Sequence, residues 1–189
     1  ALSAMLRPVA DVSTFGIAPD RLGPLTASLK AALAGENGLS ADVVFLSGGS
    51  SIGVRDLTLE ALQSLGDTEI LCHGVALSPG KPLILARCGQ TLVWGLPGQV
   101  ASAQVVMHVL GVPFLRHLMA QFFGQGNFRY GHAFDQTFWP SRQAILSRNI
   151  ASRQGREDYI RVRLEHQANG LPRAVPVPGL SGLLRTLLD

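Results

Sequence analysis

Apolar residues recur at helical spacing in two stretches of the N-terminal half of the chain, residues 22–35 and 57–66, and each stretch ends at a glycine. This spacing predicts amphipathic helices, because the buried face of a helix repeats about every 3.6 residues. A continuous apolar run at residues 42–47 predicts a strand that is buried on both faces. A short helix over residues 1–7 and a strand over residues 9–17 are expected before this unit. The alternation of helix and strand favours an α/β domain with a largely parallel sheet.

Three further strands are predicted, at residues 70–77, 82–88 and 91–96. The Gly89-Gln90 turn joins the last two of them as a hairpin. A helix is expected after residue 98, and it ends near residue 123. Pro113 lies inside this helix and is expected to kink or restart it, because proline lacks the N–H that a helical hydrogen bond needs.

The pattern changes at residues 124–126, which predict a linker. Strict alternation over residues 159–164 predicts a half-buried antiparallel strand, and Asn169-Gly170 predicts a hairpin turn to a return strand. The other elements expected in this region are strands at residues 128–138, 144–150 and 174–177, and a short helix or the start of further structure at residues 181–189. The chain is therefore divided into an α/β domain, residues 1–123, and a small β domain, residues 124–189.

Composition narrows the class of protein. Hydrophobic residues make up 47% of the 189 residues and charged residues 15%, a balance typical of a packed chain and not of a disordered one. The longest apolar stretches are broken by His or Gly, so neither a transmembrane helix nor a signal peptide is expected. Two cysteines are too few for a disulfide scaffold and indicate a reduced, cytoplasmic location. A net charge of +3 argues against a nucleic-acid binder and suits a small anionic ligand.

A glycine-rich loop follows the strand predicted at residues 42–47 and forms the first candidate site. Glycines at this point let backbone N–H groups approach an anion, and the next helix presents its positive end to the same place. An open α/β sheet binds ligands at the carboxyl ends of its strands, where this loop lies. For the loop alone, a tight strand-to-helix turn is an equal alternative. The candidate binding residues are Ser47, Gly48, Gly49, Ser51 and Gly53.

Asp20 and Asp56 each lie at the start of a predicted helix, and each taken alone is best interpreted as an N-cap. Because both follow a predicted strand by a few residues, we expect both carboxylates at the same edge of the sheet. Two carboxylates repel a bound phosphate unless a cation lies between them, and Mg²⁺ binds through a few carboxylates plus substrate phosphates. The pair therefore predicts a Mg²⁺ site at which a phosphoanhydride can be cleaved.

Two turns add candidate contacts to an anion. Pro79-Gly80-Lys81-Pro82 is a rigid turn whose single cation can offset phosphate charge, and Lys30 is the only other lysine in the chain. Gly95-Leu96-Pro97-Gly98 is a second strand-to-helix turn that can present N–H groups to an anion. An ordinary exposed lysine and a simple helix cap are the alternatives at the two places.

The other metal-ligating and charged residues are assigned to structure. No two histidines lie four residues apart as a metal pair, and all five are interpreted as structural or exposed: His73, His108, His117, His132 and His166. Cys72 and Cys88 fall on neighbouring predicted strands and are assigned to the core. A basic face in the second region is interpreted as solvated, with contact to an anion or a partner as the alternative; its residues are Arg153, Arg156, Arg161 and Arg163.

Four motifs occur in a fixed order along the chain: Gly16-Ile-Ala-Pro-Asp20, Ser47-Gly-Gly-Ser-Ser-Ile-Gly-Val-Arg-Asp56, Pro79-Gly-Lys-Pro82 and Gly95-Leu-Pro-Gly-Gln-Val-Ala-Ser102. The series resembles the MoeA family, the molybdopterin molybdenumtransferases, whose eukaryotic relative is the gephyrin E domain. Each motif is weakly specific alone, whereas four in this order and spacing are strongly specific. Residues 155–163 and 176–187 also resemble the C-terminal barrel domain of that family.

The resemblance implies a molybdopterin-binding α/β domain of the MogA/MoaB type, with a mostly parallel sheet flanked by helices, followed by a small β-barrel domain. The implied reaction joins molybdate to adenylylated molybdopterin and releases AMP in the presence of Mg²⁺. Asp20 and Asp56 match the family carboxylates that position the metal, and Lys81 matches a lysine that neutralises charge. The matched substrate-binding residues are Ser47, Gly48, Gly49, Ser51, Gly53, Gly80, Pro82, Gly95, Pro97, Gly98 and Ser102.

The resemblance covers nearly the whole chain but only the C-terminal portion of the family protein. Its N-terminal domains, the first strand of the molybdopterin-binding domain and the end of the barrel are expected to lie outside this sequence. Ser78 replaces the first lysine of the family motif, Gln99-Val100 replaces Asn-Pro, and Ser50 replaces Val. The loss of a positive charge at residue 78 matters most, because molybdate and phosphate are both anions.

Further expectations concern partners and rival functions. We expect a homodimer in the full-length protein and contact with other molybdenum-cofactor biosynthesis proteins, and no nucleic-acid or membrane partner. One rival is a molybdopterin adenylyltransferase of the MogA/MoaB type, against which the barrel segment and the Pro79–Pro82 turn argue. The other is a non-catalytic molybdopterin-binding or regulatory relative, which Ser78 and Val100 keep open.

Overall fold

A computed structural model of the chain describes residues 1–35, 39–48, 56–122 and 141–177. The linker predicted at residues 124–126, the strand at 128–138, the terminal helix at 181–189 and the loop residues Gly49, Ser51 and Gly53 lie outside these ranges. The helices are α1 (Leu2–Leu6), α2 (Leu22–Ala34), α3 (Leu57–Gln63), α4 (Val100–Val106) and α5 (Val112–Phe122), with a π-helical turn at Met107–Gly111. The strands are β1 (Val43–Ser47), β2 (Thr68–His73), β3 (Leu77–Ser78), β4 (Ile84–Cys88), β5 (Thr91–Leu96), β6 (Ile145–Leu146), β7 (Glu157–Asp158), β8 (Val162–Glu165) and β9 (Arg173–Pro176).

The main sheet has the strand order β1-β5-β4-β2 and is mixed. β1 pairs with β5 in parallel, whereas β5 with β4 and β4 with β2 are antiparallel. The expectation of a mostly parallel sheet is wrong for the described strands. The predicted Gly89-Gln90 hairpin is confirmed, and a second short return follows β2, where Val75 N donates to Lys81 O at 2.9 Å. Short connections of this kind produce antiparallel neighbours, because a parallel neighbour needs a long crossover.

The core lies on both faces of this sheet, as an α/β fold requires. Trp94 and Leu96 of β5 pack with Met107 on one face, together with α1 and α4. Val93 packs with Leu62 on the other face, with α2 and α3. Five of the six β5 residues are buried, so β5 is the centre of the fold. The strand β1 is less buried than predicted, since only Val44 is fully buried in it.

One long helix covers the first face. It runs without a break over Val100–Phe122, and its π-helical turn at Met107–Gly111 comes shortly before Pro113. The proline ring clashes with the preceding helical turn and offers no N–H, and a wider π turn accommodates both effects. The predicted irregularity at Pro113 is therefore confirmed, and its form is a bulge within a continuous helix.

By length and composition this helix could also cross a membrane, since it has 23 residues and a mean hydropathy of 1.3. A single helix of this kind is weak evidence for a membrane span, because the core helix of a soluble protein has the same length and composition. Val106 and Met107 are fully buried in the core beside Leu83. A helix that packs on a sheet needs an apolar face of this kind, so the core accounts for the composition of this face.

The segment between α1 and α2 differs from its prediction. Residues 9–17 form no strand, and Phe15 and Ile17 are exposed, Ile17 completely. Among the described residues no strand pairs with this segment, and an extended chain without a hydrogen-bonded neighbour is not a strand. The helix α2 begins one residue later than expected, with Arg21 as its N-cap and Gly35 as its C-cap.

Residues 141–177 form a smaller unit. β8 and β9 make the predicted antiparallel hairpin, and β6 adds to β9 in parallel. Val162 and Leu164 of β8 are exposed, so the predicted half-buried strand is not buried by the described residues. No closed barrel forms within the described part of this region. β7 pairs with β3 of the first domain, which joins the two units.

Candidate functional site

The parallel strands β1 and β5 end at the same edge of the sheet and bring two predicted loops together. Ser47 is the register partner of Leu96, and Gly48 N donates to Leu96 O at 3.4 Å. A side chain placed on Gly98 would come within 3.3 Å of the Gly48 Cα, so the two backbones nearly touch. The structure thus brings residues 47–48 and 95–98 together at the carboxyl ends of β1 and β5.

Asp56 lies at the same edge and starts α3. Its Oδ1 accepts a hydrogen bond from Leu59 N at 3.1 Å, which confirms the N-cap interpretation. The buried Thr58 hydroxyl donates to Gly48 O at 3.3 Å and ties α3 to the loop. The Thr58 contact was not predicted, because a threonine in the first turn of a helix gives no distinctive pattern.

His73 contacts Asp56 and was missed by the sequence interpretation. Its Nε2 lies 3.2 Å from Asp56 Oδ2, and the two side chains are 37% and 12% exposed. β2 is antiparallel to β4, and β4 to β5, so the end of β2 at His73 reaches the same edge as the end of β5. The available signal was the glycine that follows His73, since Gly74 interrupts the strand predicted at residues 70–77.

The turn with Lys81 is held by packing as well as by its prolines. Gly80 is buried with φ +135°, and a Cβ there would lie 2.7 Å from Val106 Cγ2 and 2.8 Å from Leu77 Cδ2. Only glycine fits this conformation and this space. The Lys81 residue is exposed, while its carbonyl accepts from Val75 N. The structure therefore gives a fixed backbone that carries a solvent-facing cation, as predicted for this turn; the half-buried Pro82 follows it.

The third motif contributes a buried serine and a tight turn. Gly95 and Pro97 are buried, and Ser102 in α4 is buried with its hydroxyl 3.4 Å from Gln99 Oε1. Gln99 is the N-cap of α4 without a side-chain cap hydrogen bond. Ser102 therefore supports the turn in this conformation, and its predicted role at the substrate stays a prediction.

Asp20 lies exposed in the loop before α2, and Arg21 takes the N-cap position predicted for it. Residues 9–17 form no strand, so Asp20 does not follow a strand as expected. The joint role of Asp20 and Asp56 at a cation stays a prediction.

The donors present fit Mg²⁺ only in part. Carboxylate oxygens such as those of Asp56 are the hard ligands that Mg²⁺ prefers. The described residues contain no group of three or more His, Cys, Asp or Glu that could hold a metal by themselves. Since Mg²⁺ commonly takes one or two carboxylates and completes its shell with phosphate and water, Asp56 suits a metal that arrives with a phosphorylated ligand.

Comparison with known families agrees with this geometry. Residues 2–117 match the family described as "Probable molybdopterin binding domain", and residues 143–189 match "MoeA C-terminal region (domain IV)". The chain belongs to the MoeA family. The two matches follow the order of the two units in the structure, so the family resemblance and the fold class, an α/β domain followed by a small sheet domain, are confirmed.

Individual relatives give the extent of the likeness. Molybdopterin molybdenumtransferase of Haemophilus influenzae is 30% identical over 151 residues, which are 80% of this chain and 33% of that protein. A MoeA protein from Pyrococcus horikosii has a TM-score of 0.64 and 28% identity, covering 93% of this chain and 36% of that one. Molybdenum cofactor biosynthesis protein B of Staphylococcus epidermidis is 30% identical over 121 residues, 58% of this chain and 68% of that protein. The chain spans about a third of the length of the first two relatives.

Proposed function

We propose that the protein to which this chain belongs acts in molybdenum cofactor biosynthesis and inserts molybdenum from molybdate into adenylylated molybdopterin, with release of AMP. One observation carries the proposal: the near contact of Gly48 and Gly98 lies at the sheet edge where Asp56 starts its helix. The relatives named molybdopterin molybdenumtransferase support the choice of reaction.

The glycine loops bind the anion in this proposal. Backbone N–H groups that are free of side chains can approach phosphate oxygens closely, and the adjoining helix ends favour negative charge. The predicted contacts at Gly49, Ser51 and Gly53 belong to the same loop. Lys81 offsets the charge of phosphate or molybdate, because its turn is fixed while its side chain faces solvent.

Asp56, together with Asp20, is proposed to hold the Mg²⁺ ion. When bound, the ion would neutralise charge on the phosphoanhydride that joins the pterin phosphate to AMP. His73 orients the Asp56 carboxylate through the Nε2–Oδ2 contact of 3.2 Å, and Leu59 N fixes its other oxygen. Two fixed oxygens on a helix start are a pre-organised ligand, which costs little to order on binding.

The wider setting is part of the same proposal. We infer a homodimer in the full-length protein, a cytoplasmic location and contact with other proteins of molybdenum cofactor biosynthesis. A second candidate, adenylylation of molybdopterin, is favoured by the relative named molybdenum cofactor biosynthesis protein B, of which this chain covers 68%.

The deciding experiment measures AMP release by the full-length protein with adenylylated molybdopterin, Mg²⁺ and varied molybdate. We expect AMP release that depends on molybdate and that falls at least about a hundredfold in Asp56→Ala, the order found when one charge-stabilising group is removed. Asp67→Ala is the matched control, since Asp67 is exposed and lies just before β2, at the opposite edge of the sheet. No molybdate-dependent release by the wild type would overturn the proposal. Pyrophosphate release from MgATP that depends on molybdopterin and needs no molybdate would favour adenylylation.

A further inference from the structure

The second region meets the first immediately before the turn that carries Lys81. β7 pairs with β3 in parallel, with Leu77 opposite Glu157 and Ser78 opposite Asp158. Glu157 N donates to Ala76 O at 2.9 Å, and Tyr159 N donates to Ser78 O at 2.7 Å. The backbone on the N-terminal side of Pro79 is therefore held by a strand of the other unit.

The side chain of Asp158 concentrates polar contacts at this junction. Its Oδ2 accepts from Ser152 Oγ at 2.6 Å and from Arg153 N at 3.4 Å, and its Oδ1 lies 2.9 Å from Arg156 Nη2. Asp158 is also the register partner of Ser78 in the β3–β7 pair. The Asp158 side chain is only 8% exposed. Hydrogen bonds to a charged acceptor are stronger than those between neutral groups, so removing the carboxylate should loosen this segment.

The three donors all come from the second region, so the carboxylate fixes the position of β7, and β7 pairs with β3 through the amides of Glu157 and Tyr159. Ser78 is followed directly by Pro79, Gly80 and Lys81. Gly80 packs closely against Val106 of the long helix. The turn is therefore fixed on its far side by the core and on its near side by Asp158.

We propose that Asp158, held by Arg156 and Ser152, is a positioning residue that fixes the Ser78–Pro82 turn and so places Lys81 at the anion site. Asp158 then contributes to the site without touching the substrate. The inference about Lys81 rests on the proposed function, whereas the inference that Asp158 holds the turn stands on the contacts alone.

The same region contains a matched control. Arg163 and Glu165 also form an ion pair at 2.9 Å, but their side chains are 58% and 43% exposed. Exposed pairs of this kind contribute little to stability, because water competes for both charges. Glu165→Gln therefore removes one carboxylate from the second region without affecting the junction.

The first test measures backbone hydrogen exchange in the full-length protein by mass spectrometry. In Asp158→Asn and in Ser152→Ala, we expect the amides of Glu157, Tyr159 and Val75 to exchange about tenfold faster than in the wild type, as loss of a charged hydrogen bond implies. Glu165→Gln should exchange as the wild type does. Unchanged exchange at Glu157 and Tyr159 in Ser152→Ala overturns the proposal, and this smaller change also decides the matter if Asp158→Asn does not fold.

The second test separates positioning from simple stabilisation. In molybdate-dependent AMP release, Ser152→Ala and Asp158→Asn should raise the KM for adenylylated molybdopterin about tenfold, with a smaller change in kcat. The double variant should be no worse than the more affected single variant, because both remove one interaction. Faster exchange with an unchanged KM would overturn the role at Lys81. If the wild type releases no AMP, the proposed reaction fails, and the exchange rates still decide whether Asp158 holds the turn.

Discussion

The strands β5 and β8 show how differently the two regions of the molecule are held. Five of the six β5 residues are buried between helices on both faces of the sheet. In β8 three of four residues are exposed, and the buried residues of the described part of the second region are Ala174 and Pro176. The first region is stabilised by apolar burial, and the described part of the second by strand pairing and polar contacts. A substitution should therefore act differently in each.

The largest expected effect tests the apolar core. Leu62 is completely buried on α3, and Leu62→Ala should lower the free energy of unfolding by about 2–5 kcal/mol through lost burial and the cavity left behind. Leu164→Ala is the control, because Leu164 is 36% exposed, and it should cost less than about 1 kcal/mol. Urea unfolding of the two variants gives both values. Equal losses would show that the two regions are packed alike.

A second substitution tests how closely the turn that carries Lys81 is packed against the core. Gly80→Ala combines a positive φ with contacts to Val106 and Leu77 that are too close for a methyl group, and should cost about 2–4 kcal/mol. Gly170→Ala in the β8–β9 hairpin also has a positive φ, of +101°, but open space around the added carbon, so it should cost only about 1–2 kcal/mol. Thermal or urea unfolding measures the difference. If Gly170→Ala lowers the free energy of unfolding as much as Gly80→Ala does, the backbone conformation alone, and not packing, determines the loss of stability.

The third substitution tests the contact between His73 and Asp56 at the sheet edge of the first region. His73→Leu removes the partner of Asp56 Oδ2 and should lower molybdate-dependent AMP release about tenfold, since one hydrogen bond to a charged group is worth about 1.5 kcal/mol or more. His73→Gln keeps a donor of similar reach and should retain most of the activity. Steady-state rates of both variants make the comparison. If both lose activity equally, orientation of Asp56 by a donor is the wrong explanation.

The smallest expected effect is a pH dependence of stability that comes from Asp158 in the second region. The Ser152 hydroxyl, then Arg156, Ser78 and the Arg153 amide, lower the pKa of Asp158 from 3.8 to about 2, against the opposing effect of burial. A carboxyl with a lowered folded-state pKa stabilises the fold above its unfolded pKa, and this contribution is lost as the pH falls from about 3.8 towards 2. Arg156 is the charged group that forms an ion pair with it.

The difference in unfolding free energy between the wild type and Asp158→Asn should therefore be constant from pH 7 to about pH 5 and shrink below about pH 3.8. Glu165→Gln serves again as the control for the general effect of acid. A difference that is independent of pH down to 2.5 would contradict the assigned cause. Urea unfolding at matched ionic strength keeps screening constant.

Local patterns were enough for much of the first region. The helix α2 ends at Gly35, α3 starts at Asp56, and the hairpin turns at Gly89-Gln90, all as predicted. In these places the interactions that determine the structure lie within a few residues of one another. They are a helix cap, the backbone conformation of a glycine and the regular spacing of apolar residues. The family motifs added the order of the two units, which the structure and the family matches confirm.

The failures have a different physical origin. The contact of His73 with Asp56 joins residues 17 apart and depends on strand directions that no local pattern determines. Residues 9–17 have strand-like composition but no paired neighbour among the described residues, and a strand needs one. The Asp158 contacts were missed because the basic residues near it in sequence were interpreted as a solvated face: Arg153, Arg156, Arg161 and Arg163. The roles of Asp20, Lys81 and Ser102 at the substrate stay predictions.

The near contact of Gly48 and Gly98 limits how this site can change in evolution. A substitution at Gly98 can be relieved only if the facing residue becomes smaller, and Gly48 has no side chain to give up. Gly48 in turn has a φ of +104°, which few other residues adopt. A substitution at either glycine, 50 positions apart in sequence, therefore cannot be compensated by a change at the other, and we expect both to stay glycine. New ligand preference would have to arise from the rim of the site, where His73 and Lys81 lie.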